Sequence, residues 1–72
     1  MPAHLGDGTC LEETRDAIHV HVWPNGRTQA GDYKTWIPKS VIADDSDVAA
    51  KNDVGDIFVR TWFAEKEGLP HT

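Results

Sequence analysis

His19 and His21 stand two residues apart in "AIHVHVW", residues 17 to 23, and are the first groups in this chain able to do chemistry. On a strand, residues i and i+2 point the same way, so two imidazoles at this spacing can face one metal ion. A zinc site needs a third donor, to be sought among His4, Cys10, His71 or a carboxylate, and no metal-ligand spacing selects one. The expectation is a half-buried strand with imidazoles on its wetter face, without a metal or other cofactor. Cys10 lies beside Glu12 and Glu13, whose charge disfavours a thiolate. Paired with His19 or His21 across a hairpin it would have a base, but no third member of a triad can be named. Ser40, beside Lys39, lacks the elbow of a serine nucleophile. The aspartates 44, 45, 47, 53 and 56 offer hard oxygen ligands, yet "DDSDVAAKNDVG" has neither the central glycine nor the terminal glutamate of a twelve-residue calcium loop. A glycine-rich phosphate loop is also missing, and the chain reads as no enzyme.

The elements that must position these groups are mostly strands. Ile18, Val20 and Val22 alternate with Ala17, His19, His21 and Trp23, the period of a strand. Pro24 should end that strand, and "PNGRTQAGD" is a turn region in which Arg27 to Gln29 extend the ladder. "YKTWI" puts Tyr33, Thr35 and Ile37 on one face and Lys34 with Trp36 on the other, before Pro38 closes it. "TCLEE" reads as a short first strand with Leu11 inward, after a flexible lead-in over residues 1–8. Val41 and Ile42 make a short apolar return, and residues 43–56 form an acidic loop with at most one helical turn through Val48, Ala49 and Ala50. "DIFVR" is a last strand with Ile57 and Val59 on one face, opposite Phe58 and Arg60. Thr61 is placed to cap a short helix, "WFAEKEG", which Gly68 ends, Leu69 folds back upon and Pro70 stops. Residues 9–69 are thus expected to form a single small β-rich domain, with a tail at 70–72. The expected fold is mainly β: a small, strongly curved antiparallel sheet or partial barrel, its end plugged by Trp62 or Phe63.

A chain of 72 residues buries only about 60% of the surface its unfolded state exposes, so its core has little to spare. The single cysteine rules out an internal disulfide, and a free thiol suits a reducing compartment, hence a cytoplasmic expectation. There is no signal-like start and no apolar run near the roughly 20 residues that span a bilayer, so no membrane partner is expected. Twelve acidic against seven basic side chains give a formal charge of -5, which opposes general binding to duplex DNA.

Three segments, "ETRDAIHV", "WIPKSVI" and "WFAEKEGL", resemble a group of small, poorly characterised proteins of phages and bacterial mobile elements. The resemblance is carried by Glu13, Thr14 and Ala17, by Trp36, Pro38, Lys39 and Ser40, and by Trp62, Ala64, Glu65, Lys66 and Gly68. The chain departs from that pattern in the acidic stretch between Ile42 and Ile57 and in "HVHVWPNG". The resemblance implies a layout and a mobile-genetic origin, and no reaction.

The expected function is that of a noncatalytic interaction protein that occupies or bridges a host or phage protein. Its trial contacts are Trp23, Lys34, Trp36 and Lys39 on an aromatic-basic face, with Asp44, Asp45 and Asp47 on the acidic loop. The alternative is a single-stranded nucleic-acid module that stacks bases on Trp23, Tyr33 or Trp36, with Arg27, Lys34, Lys39 or Arg60 near the phosphates. Self-association into a homo-oligomer would add the core that so small a chain lacks.

Overall fold

The computed structural model describes residues 2–24 and 31–71. Its elements in chain order are β1 (Ala3–Glu13), β2 (Ala17–Trp23), β3 (Tyr33–Pro38), a 3-10 turn (Lys39–Val41), β4 (Val54–Val59) and α1 (Thr61–Glu67). The four strands form one antiparallel sheet in the order β3-β2-β1-β4. β3 and β4 lie at opposite ends of that order, so the sheet is open, and the expected barrel or strongly curled sheet is not formed.

Two physical reasons account for the difference. The aromatic rings that would have filled the ends of a barrel stand outside: Trp23, Trp36 and Trp62 are each about half exposed. The outer edge of β4, which would have to meet β3 for closure, is instead occupied by the segment after the 3-10 turn. There Ile42 bridges Val59, Ala43 N–H donates to Phe58 O at 3.0 Å, and Arg60 N–H donates to Val41 O at 2.8 Å.

β1 begins at Ala3, where the sequence suggests a loose lead-in over residues 1–8. It is the central strand and pairs with β2 on one side and β4 on the other. Its glycines look like loop residues in sequence but serve close backbone approach. Gly6 follows an irregularity between His4 and Gly6 in the pairing with β4 and has φ +131°, and a Cβ there would lie 2.3 Å from Trp23 O. A second irregularity, between Cys10 and Glu12, makes Leu11 an extra residue opposite β2. Cys10 therefore points into the core and Leu11 is half-buried, the reverse of the alternation expected for "TCLEE".

The inner face carries Ala3, Leu5 and Cys10 from β1, Ile18, Val20 and Val22 from β2, Ile37 from β3, and Ile57 with Val59 from β4. Val41, Val48, Phe63 and Ala64 close over it as a second layer. Residues 43–53 contain no helical turn, and Val48 enters the core from irregular backbone. α1 starts one residue earlier than a Thr61 cap would require, since Arg60 is the capping residue and Thr61 is already helical. Its other end follows expectation. Gly68 adopts φ 67°, its N–H donates to Glu65 O, and Leu69 N–H donates to Ala64 O at 2.9 Å, which is the 5→2 and 6→1 pair of a Schellman turn.

Phe63 and Trp62 divide the work of α1: the first is buried and the second is 55% exposed. Truncating Phe63→Ala should cost about 3–5 kcal/mol, close to the whole stability of a small domain. Trp62→Ala should change stability by less than about 1 kcal/mol. Urea melts of the two variants check the contrast, and equal losses would place Trp62 in the core.

Candidate functional site

Strand alternation sends one set of side chains inward and the other to the opposite face of the sheet, which no described element covers. On that outer face β3 presents Lys34 and Trp36, β2 presents His19, His21 and Trp23, β1 presents His4, Asp7, Thr9 and Glu12, and β4 presents Val54, Asp56 and Phe58. Three histidines are placed there with three aromatic partners. The His19 and Trp36 rings stack at 4.8 Å across paired strands, and His21 lies against Trp23 at 4.1 Å along β2, the rings tilted by 30°. At the far side His4 stacks on Phe58 at 4.6 Å. Each Trp thus has one side covered by an imidazole, in keeping with exposures of 48% for Trp23 and 49% for Trp36.

Acids hold two of these imidazoles. His21 Nε2–H donates to Asp32 Oδ2 at 2.7 Å, and that hydrogen bond keeps the Asp32 carboxyl below its ordinary pKa. His4 Nε2–H donates to Asp56 Oδ1 at 3.2 Å. Lys34 stands on the face with Asp7, Glu12, Asp32 and Asp56 around it, and Lys51 Nζ lies 4.0 Å from Glu12 Oε2.

The structure brings together Trp23, Lys34 and Trp36, and it separates them from the other candidate contacts. Lys39 follows β3 but is ion-paired with Glu13, and its side chain lines a hollow with Ile42, Ala43, Asp44, Ser46 and Ala49. Asp44 and Asp45 line a shallow groove with Pro2, Arg60, Thr61 and Trp62, at the N-terminal end of α1. Asp47 serves the fold: its N–H donates to Asp56 O at 2.8 Å, and its Oδ2 accepts Asp56 N–H at 3.3 Å. Ser46 Oγ accepts Phe58 N–H at 3.2 Å. The acidic loop therefore seals the β4 edge with side-chain acceptors and backbone N–H donors together. Asp53 is used in the same way, accepting the N–H groups of Ala49 and Ala50.

The stacking candidate Tyr33 lies on the inner face, away from both exposed tryptophans of the sheet, and packs against the core. Arg27 lies outside the described residues. Cys10 and the histidines of β2 are on opposite faces of the sheet, so they cannot meet. The Cys10 thiol is buried and donates to Glu12 O at 3.0 Å, and burial, with Glu13 nearby, raises its pKa. Among the described residues no three His, Cys, Asp or Glu side chains lie together as a metal site.

His4 and Phe58 were missed as members of this surface. Alternation in "DIFVR" put Phe58 opposite the core side chains, but nothing in the sequence paired that strand with the N-terminal residues. Compared with protein-family models, with curated proteins and with solved structures, the chain gives no match in any of the three. The likeness to phage and mobile-element proteins gains no support from them, and the functional reading rests on geometry.

Two expectations follow from the local chemistry. Tyr33 Oη is buried with no hydrogen-bond partner among the described residues, and burial pushes the hydroxyl pKa up to about 12. Tyr33→Phe removes the unsatisfied group, so its stability in urea should match the parent or exceed it by up to about 1 kcal/mol. A loss of that size would reveal a partner for the hydroxyl.

Glu13 accepts hydrogen bonds from Lys39 Nζ and from Lys51 N–H, the first being the larger cause of its lowered pKa. A depressed carboxylate stabilises the fold above its ordinary pKa of 4.5 and loses that contribution as pH falls through the lower folded value. Urea midpoints of Glu13→Gln should lie below the parent at neutral pH and converge on it in acid. Parallel curves would exclude a role for the ionised carboxylate.

Proposed function

We propose that the uncovered sheet face, centred on the Trp36–His19 and Trp23–His21 stacks, is a docking surface for a protein partner. One observation carries the reading: two half-exposed tryptophans stand on the face opposite the core, at either end of the His21–Lys34 pair, each with its ring against an imidazole. Trp is the residue most enriched where interfaces carry their energy, and rings already fixed by stacking lose little freedom on binding.

The charge around the rings indicates what kind of segment fits. With Asp7, Glu12, Asp32 and Asp56 outnumbering Lys34 and the Lys51 paired to Glu12, the face would repel a phosphate backbone and attract a segment with apolar side chains and a basic flank. The same balance places the single-stranded nucleic-acid reading second, although exposed rings are what base stacking would use. The mechanism is occupancy of a partner's surface, without covalent chemistry.

The test is affinity capture from lysate of the native cells, with parent, Trp36→Ala and Trp23→Ala baits, each with and without nuclease. Both variants should keep the parent's circular dichroism and lose less than about 1 kcal/mol of stability, because the rings lie outside the core. A protein retained by the parent after nuclease and lost from both variants is the expected result. Equal retention by all three baits would remove the face from the interaction, and retention abolished by nuclease would put nucleic acid first.

A further inference from the structure

The two edges of the sheet are treated oppositely. Along β4 the outward groups are spent: Asp56 and Phe58 N–H on Asp47 and Ser46, and Phe58 and Asp56 O on Ala43 and Asp47 N–H. Along the outer edge of β3, no described residue pairs.

The ladder fixes which groups are free there. Lys39 N–H donates to Asp16 O at 2.8 Å, next to the Ala17–Pro38 pair. Antiparallel alternation then turns the N–H and C=O of Tyr33, Thr35 and Ile37 toward β2. Those of Lys34 and Trp36 face outward. So does Pro38, at a position where the ladder needs no N–H, as proline on an edge requires.

We propose that β3 is a self-pairing edge: two copies of the chain join antiparallel through β3 about a two-fold axis at Thr35, forming one continuous eight-stranded sheet. The register follows from comparing the symmetric pairings centred on Lys34, Thr35 and Trp36, the middle of the strand. An axis at Lys34 sets two ammonium groups directly opposite each other, which is destabilising. An axis at Trp36 sets Lys34 opposite Pro38, whose missing N–H leaves the Lys34 carbonyl unpaired.

An axis at Thr35 pairs Lys34 with Trp36 of the second copy, twice. All four outward groups of those residues in each copy are then satisfied. Each Lys34 ammonium lies beside a Trp36 ring, a cation–π arrangement, and the threonines meet across the axis. A lysine on an exposed edge ordinarily discourages strand addition, and here it rejects the wrong registers while fitting one. The contact is isologous, so it closes at two copies and does not propagate. It concerns the edge of β3 and holds whatever the outer face binds.

Sedimentation of the purified chain should give twice the 8.0 kDa monomer mass at high concentration. A monomer at every concentration up to about 1 mM would overturn the proposal. Lys34→Pro deletes an outward N–H without touching the ladder to β2 and should weaken association by about 100-fold. Lys34→Thr, which keeps the N–H, should remain dimeric, and a Lys34→Pro variant that stays equally dimeric would exclude this edge.

Should Lys34→Pro fail to fold by circular dichroism, a cysteine pair decides instead. Thr35→Cys sits in the closer, non-hydrogen-bonded kind of cross-strand pair and should form a disulfide-linked dimer on mild oxidation, Cys10 being buried. Lys34→Cys, facing Trp36, should not. The reverse outcome would place the axis elsewhere.

Discussion

The packing of Phe63 and Ala64 onto the inner face of the sheet is the contact on which the other features depend. A four-stranded sheet has two faces, and the described residues cover one. α1 is too short to be stable alone and exists because its apolar side joins the core. Once that side is closed with Val41 and Val48, nothing in the described chain remains to cover the other. The exposed aromatics follow from this shortage of cover as much as from any demand of binding.

Stacking makes that exposure tolerable. A Trp ring beside an imidazole retains apolar contact on one side and leaves the other to solvent, so the uncovered face loses less than its composition suggests. The carboxylates of Asp32 and Asp56 hold His21 and His4 in turn. This chain of contacts runs from acid to imidazole to ring and orders the surface without a second layer of structure.

Much of this was legible from residue alternation. The period of two in "AIHVHVW", "YKTWI" and "DIFVR" placed the inward and outward side chains of three strands, and Gly68, Leu69 and Pro70 marked the end of the helix. The first strand was not legible. Two irregularities interrupt its alternation, and Gly6 and Gly8 resemble a loop unless the neighbouring strands that crowd them are known. Openness of the sheet was hidden for a related reason. Alternation assigns faces, whereas strand order depends on which backbone groups find partners, and the partners that seal β4 are side chains and turn residues in a loop that reads as solvated acid. Asp47 and Ser46 carried no local mark of that role.

Strand order also has a consequence in time. The first strand of the chain is central, yet one of its two neighbours is the last strand. During synthesis β1, β2 and β3 can assemble as a meander while β4 and α1 are still unmade, and such a meander exposes both the inner side chains of three strands and the unpaired backbone of β1. Long-range pairing of this kind is slow, and unpaired edges invite association with other chains. β4 and α1 therefore complete the fold last: until they pair, β1 to β3 present an apolar face and an open edge that the four-stranded sheet conceals.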